Sequence, residues 1–553
     1  MNNSVVKIFA MGGLDENGKN LYVLEVNDDI FVFESGLKYP ESSMPGIDMI
    51  IPDVGYLIKN RKRVKAYFIS HGHDDIMGGL PYIVKDVPAP IYCSKMTEEM
   101  ILDSAKRFKV NVKMNFVTVK SGDTVNISGH ECRFFSTTHS VSDSLGIAVN
   151  TPNGYVVYTG DYIIDYGALP NYRTDIHTLM EIAKQDVLCL LSESIACDIP
   201  GHTSPKHKLT PHVEKYFSRH EGRILMTFYT QNLFGIREAI DLAIKYRRKI
   251  LLFDDDIKNI YNRFNEKGDR IPSNLLVDIK DIEKIENDRI LILISGVGEK
   301  LYNTLEKIAI DSSLLRIRPT DEIIIASPSV PGIEVQTIRV IDELYKTGAN
   351  VLNLKRKDVV SMHAHEEDIK MMLSLLHPKY FMPVKGEFRH LIKNAQIAVN
   401  MNIGYNHTNC FVFDNGMVAN FENGVFKGTT TIEVGDVLID GVKIGDVGSS
   451  VISDRQKLSD NGVLVLGIAV SKLEKRIVAG PDVQMRGLIF LKDADDFLSG
   501  LVGLFEKLIN DAIMNDIIGN EDNTNRIKEQ ITTYVRRSTG KDPVVIVSIS
   551  LID

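Results

Sequence analysis

Residues 64–80, VKAYFISHGHDDIMGGL, constrain what this chain can fold into more than any other stretch. The apolar run VKAYFIS reads as a buried strand, which stops abruptly at His71-Gly72-His73-Asp74-Asp75 before a Gly-Gly-Leu-Pro segment that opens toward a helix. Two histidines one residue apart at a strand end point the same way, because side chains alternate along extended backbone. Asp75, two residues further on, can swing into the same space. Imidazoles and a carboxylate so arranged suit Zn²⁺ or Mn²⁺, and Gly72 lets the backbone approach closely.

At 553 residues the chain is too long for one core, so three to four units are expected. A hydrophobic content of 44% and a charged content of 25% are ordinary for a globular protein. MNNSVVKIFAMGGLDENG lacks the basic start and long apolar run of a secretory signal, and no later stretch reaches membrane-spanning length. A cytoplasmic protein is expected, with no membrane partner. Five cysteines (Cys93, Cys132, Cys189, Cys197, Cys410), odd in number and without C-x-x-C, read as buried thiols rather than disulfides or a thiolate metal site. A net charge of −9 lowers the expectation of non-specific nucleic-acid coating but leaves room for a basic channel in an acidic shell.

The stretch HGHDDI resembles the H-x-H-x-D-H signature of the metallo-β-lactamase superfamily, with Ile76 at the last histidine. Together with GGLDENGKN and GIDMIIPD it resembles the ribonuclease J family, the β-CASP branch that degrades and matures RNA. The resemblance implies an α/β chain: a metallo-β-lactamase αββα sandwich, an inserted β-CASP α/β domain and a small α+β C-terminal domain. The expected boundaries are 1–203 and 358–447 for the first domain, 204–357 for the insertion, and 448–553 for a linker with the C-terminal assembly domain. Strands are expected at RILMTFYT, KILLFD, RILILIS and EIIIAS in the insertion, and at VLVLGIAVSK, RGLIFLKD and VVIVSISLI near the end. SSVISDRQKLSDNG reads as a polar break, and two helices are expected near Asp496–Ile518 and Asn523–Ser538.

By the same resemblance, His139 and Asp161 stand at the third and fourth metal motifs, so that His71, His73, His139 and Asp161 converge at one sheet edge as a complete set for one ion. Asp75 and the bridging Asp161 remain of a second set. Its two imidazoles are replaced by Ile76 and by Lys385, which stands where the family has Pro-Val-His-Gly-Glu. Glu34 and Glu193 take the place of aspartates, and Leu233 and Phe234 lie where a histidine is missing. The family's RNA and 5′-phosphate motif appears as Val359-Val360-Ser361-Met362-His363-Ala364-His365, and Ser194 is kept from a Ser-Asp-Ser motif.

The residues expected to govern catalysis are His71, His73, Asp75 and Lys385. The expected metal ligands are His71, His73, Asp75, His139 and Asp161, for one Zn²⁺ or Mn²⁺ rather than two. Ser361, Met362, His363, His365 and Ser194 are expected to meet RNA or its 5′ phosphate. An ammonium at Lys385 would sit where a second ion belongs and neutralise Asp75 and Asp161. The implied function is a paralogue of weak or absent 5′-to-3′ exonuclease and endonuclease activity, acting in RNA decay and in ribosomal and messenger RNA maturation. It would support an active sister subunit in a homo- or hetero-dimer or tetramer. The alternatives are a competent single-metal ribonuclease acting alone and a scaffold without RNA affinity. Arg61-Lys62-Arg63 reads as a solvated turn.

Overall fold

Alternation within single strands builds the first layers. In the computed structural model, which describes residues 4–552 apart from 42, 220–221, 267–270, 312–314, 331, 442, 445–448 and 489–493, neighbouring residues of one strand face different cores. Cys189 and Leu191 point into one apolar cluster while Leu190 points into another. An eight-stranded sheet contains Val5–Gly12, Leu21–Val26, Asp29–Phe33 and Val64–Phe68. A six-stranded sheet contains His130–Ser136, Leu145–Thr151, Gly154–Tyr158, Val187–Glu193 and Tyr380–Val384. The two meet through Phe31, Phe33 and Phe68 on one side and Phe134, Val156, Leu191 and Met382 on the other. The outer face of the second sheet, with Phe135, Val157, Leu190 and Phe381, is covered by Leu179, Ile369, Met372 and Ile397. These side chains come from helices Ile176–Ala183, Glu366–Leu376 and Phe388–Asn400.

The inserted region forms a separate six-stranded sheet in which every pairing is parallel. Its central strand Ile290–Gly296, ILILISG, is buried throughout, as expected of a parallel strand covered on both faces. Arg223 and Asp321, just before the adjacent strands Ile224–Tyr229 and Glu322–Ile325, form a buried pair with Nε to Oδ1 at 2.9 Å.

The chain divides into two compact units, residues up to 39 with 49–437, and residues 40–48 with 438–553. In the second, Val463–Ser471 lies between Arg476–Arg486 and Val544–Ile552. Its buried face packs Leu464, Leu466 and Ile468 on Leu501, Phe505 and Ile531, from helices Ala494–Met514 and Glu521–Thr539.

Two expectations change here. The polar stretch after residue 448 is not a break but the helix Ser449–Asn461. It is mostly exposed, so its polarity is that of a surface helix. The strand expected at RGLIFLKD is instead Arg476–Arg486, which pairs antiparallel with Val463–Ser471, and residues 489–493 lie outside the described residues. All five cysteines are buried and unbridged. Among the described residues, no helix is long and apolar enough to cross a membrane.

Candidate active site

Parallel pairing delivers strand ends to one edge. Gly154–Tyr158, Val187–Glu193 and Tyr380–Val384 are adjacent and parallel, so the residues at their C-terminal ends, Asp161, Glu193 and Lys385, arrive side by side. In the other sheet Asp29–Phe33 and Val64–Phe68 are parallel neighbours, which brings Glu34 beside Ser70 and His71. Glu34 and Lys385 both take left-handed backbone conformations, with φ of 64° and 57°. That conformation is unfavourable for residues with a Cβ and persists where the surroundings enforce it.

His71 and His73 meet as expected, for a different reason. The strand ends at Phe68, and His73 precedes the short helix Asp74–Met77 with φ −82° and ψ 148°. A loop running into a helix turn, rather than strand pleat, brings His71 Nε2 within 3.1 Å of His73 Nδ1.

His139 completes the group, with Nε2 3.3 Å from His73 Nδ1. Its Nδ1 donates to the Met362 carbonyl at 2.7 Å. A carbonyl only accepts, so His139 Nε2 presents a lone pair to its neighbours. Asp161 Oδ2 is 3.4 Å from His71 Nε2 and 3.5 Å from His139 Nε2, and Oδ1 is buried with no hydrogen-bond partner among the described residues. Burial, reinforced by His71, pushes His73 down to about 3 and His139 well below the usual histidine range. Three imidazoles crowding their ring nitrogens around a carboxylate, with one oxygen orphaned, fit a divalent cation. His71, His73, His139 and Asp161 could hold it.

Lys385 lies beside this group. Its Nζ is 2.6 Å from Asp161 Oδ2 and 2.8 Å from Asp75 Oδ2. Burial opposes its charge, but Asp161, Asp75 and Glu193 outweigh burial and raise its pKa. Burial likewise works against the ionised carboxylates, and the ammonium holds Asp161 and Asp75 below their ordinary values. Asp75 therefore faces Lys385 and stands outside the His/Asp cluster. Ile76 is fully buried.

The residues expected at a 5′ phosphate are not brought together as one set. Ser361 is exposed. The Ser194 hydroxyl is buried and donates to the Val384 carbonyl at 2.9 Å. The Met362 side chain packs with Ile163, Tyr172 and Phe234, and only its carbonyl reaches the site. His363 Nδ1 is 2.6 Å from Glu193 Oε2 and 3.7 Å from Asp161 Oδ2. Burial opposes charge on His363, yet Glu193 and Asp161 raise its pKa. The His365 imidazole is buried at the start of helix Glu366–Leu376, and its backbone N–H donates to Asp368 Oδ2 at 3.2 Å.

Two supporting residues, Asn20 and Ser140, were not singled out from the sequence, whereas Glu34 stands where the family resemblance places an aspartate. Asn20, within GGLDENGKN, donates to Asp75 Oδ2 at 3.2 Å and to the Asp75 carbonyl at 2.9 Å, while Tyr22 donates to Asn20 Oδ1 at 2.7 Å. Ser140 Oγ lies 3.1 Å from His73 Nε2. Glu34, fully buried, accepts the Ser70 N–H at 3.1 Å, and burial pushes its carboxyl up to about 8.

Comparison with known proteins agrees along the whole chain. Family models match in order: the metallo-beta-lactamase superfamily over 14–202, the ribonuclease J beta-CASP domain over 221–344, the Zn-dependent metallo-hydrolase RNA specificity domain over 351–406, and the ribonuclease J C-terminal domain over 450–552. "Ribonuclease J 2" of Staphylococcus saprophyticus is 30% identical over 550 residues, covering 99% of this chain and 98% of that protein. "Ribonuclease J 2" of Staphylococcus aureus strain MRSA252 is 29% identical with the same coverage. A crystal structure of a protein of unknown function from Enterococcus faecalis V583 shares the fold, with a TM-score of 0.52 and 15% identity over 76% of this chain and 100% of that one.

Fold and site thus define a hydrolase of the metallo-β-lactamase fold carrying a β-CASP domain. The chain belongs to the ribonuclease J family of metal-dependent ribonucleases.

Proposed function

We propose that the chain is a ribonuclease J paralogue of the cytoplasm with weak or no 5′-to-3′ exonuclease or endonuclease activity of its own. It supports an active sister subunit in RNA decay and in the 5′ maturation of ribosomal and messenger RNA. The observation that carries this reading is the Lys385 ammonium between Asp161 and Asp75, at 2.6 and 2.8 Å.

A count of charges gives the reason. Asp75, Asp161 and Glu193 are balanced in part by Lys385 and His363. One divalent ion at His71, His73, His139 and Asp161 turns a small net negative charge into a small positive one. A second ion beside a buried ammonium would face strong repulsion at contact distance. One Zn²⁺ or Mn²⁺ is therefore proposed, which when bound supplies Lewis-acid polarisation of a phosphoryl oxygen or a water. Lys385 offers N–H donors to a phosphate oxygen. His363, paired through Nδ1 with Glu193, holds a proton on Nε2 that a leaving oxygen could take. With only half of a two-ion arrangement, turnover is slow.

A sister subunit is supported by the C-terminal unit, where Leu473, Met514, Ile546 and Ile552 expose apolar surface and Val544–Ile552 is an edge strand. A second reading, a competent single-ion ribonuclease acting alone, draws on the intact three-imidazole set. Incubation with 5′-monophosphorylated RNA and Mn²⁺ separates the two. The first reading expects little cleavage by wild type and shortening from the 5′ end by the Ile76→His/Lys385→His variant. Fast cleavage by wild type that His71→Ala abolishes would establish the second.

A further inference from the structure

Between strand Asn350–Asn353 of the inserted sheet and helix Glu366–Leu376 the chain passes through Leu354-Lys355-Arg356-Lys357-Asp358. Leu354 is buried and pins the turn, whereas the three cations after it are exposed. Among the described residues none of the three is paired with a carboxylate. Asp358, the acid of the turn, accepts the Lys355 backbone N–H at 2.9 Å instead, and the Val359 N–H returns to the Lys355 carbonyl at 3.2 Å.

A fourth cation joins them from another loop. The Lys206 carbonyl accepts the Val360 N–H at 3.3 Å, and its exposed side chain pairs with no carboxylate among the described residues. The two loops stay together toward the site, because the Thr203 hydroxyl donates to the His363 carbonyl at 2.7 Å and accepts the His365 N–H at 3.2 Å. Four cations with no carboxylate partner among the described residues, on a chain of net charge −9, form a local reversal of sign. From Lys357 the backbone reaches His363 in six residues, a path of at most about 20 Å.

We propose that Lys206, Lys355, Arg356 and Lys357 grip the phosphate backbone of single-stranded RNA, a few nucleotides along the strand from the one at His363. The inference rests on the ribonuclease reading and adds to it a docking place outside the site. Such contacts position the strand and carry no sequence information, so the grip serves any base sequence. The match of residues 351–406 to an RNA specificity domain spans the turn.

The test is fluorescence anisotropy of full-length protein with 5′-monophosphorylated single-stranded RNAs of two unrelated sequences, titrated across KCl concentrations. Wild type should bind with a steep salt slope. Lys355→Ala/Arg356→Ala/Lys357→Ala should lower the log–log slope by about 2, at about 0.7 for each lost phosphate contact, equally for both RNAs. Lys59→Ala/Arg61→Ala/Lys62→Ala, which neutralises the other basic turn, should leave the slope unchanged. Should the triple variant unfold earlier than wild type, Lys206→Glu reads the same grip from the second loop and should lower the slope by about 0.7 or more. Binding by wild type with an unaltered slope in these variants overturns the grip alone, as does an equal loss in the control. No salt-dependent binding by wild type removes both the grip and the ribonuclease reading.

Discussion

At position 385 a lysine in the left-handed backbone conformation places its ammonium between two carboxylates. Removing it as Lys385→Met leaves Asp75 and Asp161 facing each other without a cation. A loss of about 3–5 kcal/mol is expected, read by urea unfolding of metal-free protein, and unchanged stability would show that the pair is not buried in solution. Glu34 gives a pH signature. Its folded value of about 8 against an ordinary 4.5 keeps a proton on the native state that the unfolded chain releases. Stability should therefore fall as pH rises between those values, by up to about 1.4 kcal/mol per unit. Glu34→Gln should remove that decline, and parallel pH profiles for the two proteins would contradict the assignment. At this scale motif spacing made His71 and His73 legible, and the family resemblance made His139, Asp161 and Lys385 so. Asn20, Ser140 and the Met362 carbonyl were not, because each acts across 55, 67 and 223 residues of chain separation. No local pattern records a contact made only by folding.

The elements show the same division. Apolar runs announced the strand that leads to His71 and the strands of the insertion, whereas the two-sheet sandwich was implied by the family resemblance. The polar helix Ser449–Asn461 escaped notice because an exposed helix with little apolar face resembles a loop in composition. The start of helix Glu366–Leu376 depends on Asp368, fully buried, which accepts the Thr203 N–H at 3.1 Å and His202 Nδ1 at 2.9 Å, besides the His365 N–H. Asp368→Ala should cost about 1–3 kcal/mol, chiefly by orphaning the buried Thr203 N–H. It should also raise hydrogen exchange at the Thr203 and His365 amides, and unaltered protection there would rule out the clamp. In the inserted sheet, Arg223→Ala should unfold its domain more readily than any exposed Arg→Ala change, since Asp321 would be left buried and unpaired.

For the whole molecule, family models match the sandwich, the insertion and the C-terminal unit in order, and a relative 30% identical over 99% of the chain joins them in one family. What the family resemblance alone did not settle is what altered site residues do once folded. Their meaning depends on which side chains the two sheets bring to one edge. If the C-terminal unit joins a sister subunit, Ile546→Lys/Ile552→Lys should lower the mass of the assembly in light scattering without changing the fold of the site. An unaltered mass would place the interface elsewhere.

Metal content tests the central claim most directly. Purified chain equilibrated with Mn²⁺ or Zn²⁺ and analysed for bound ion should hold one per chain, falling to none with His71→Ala and rising to two with Ile76→His/Lys385→His. Two tightly bound ions in the wild-type chain would contradict the account, because the Lys385 ammonium and a second cation cannot share the place between Asp75 and Asp161.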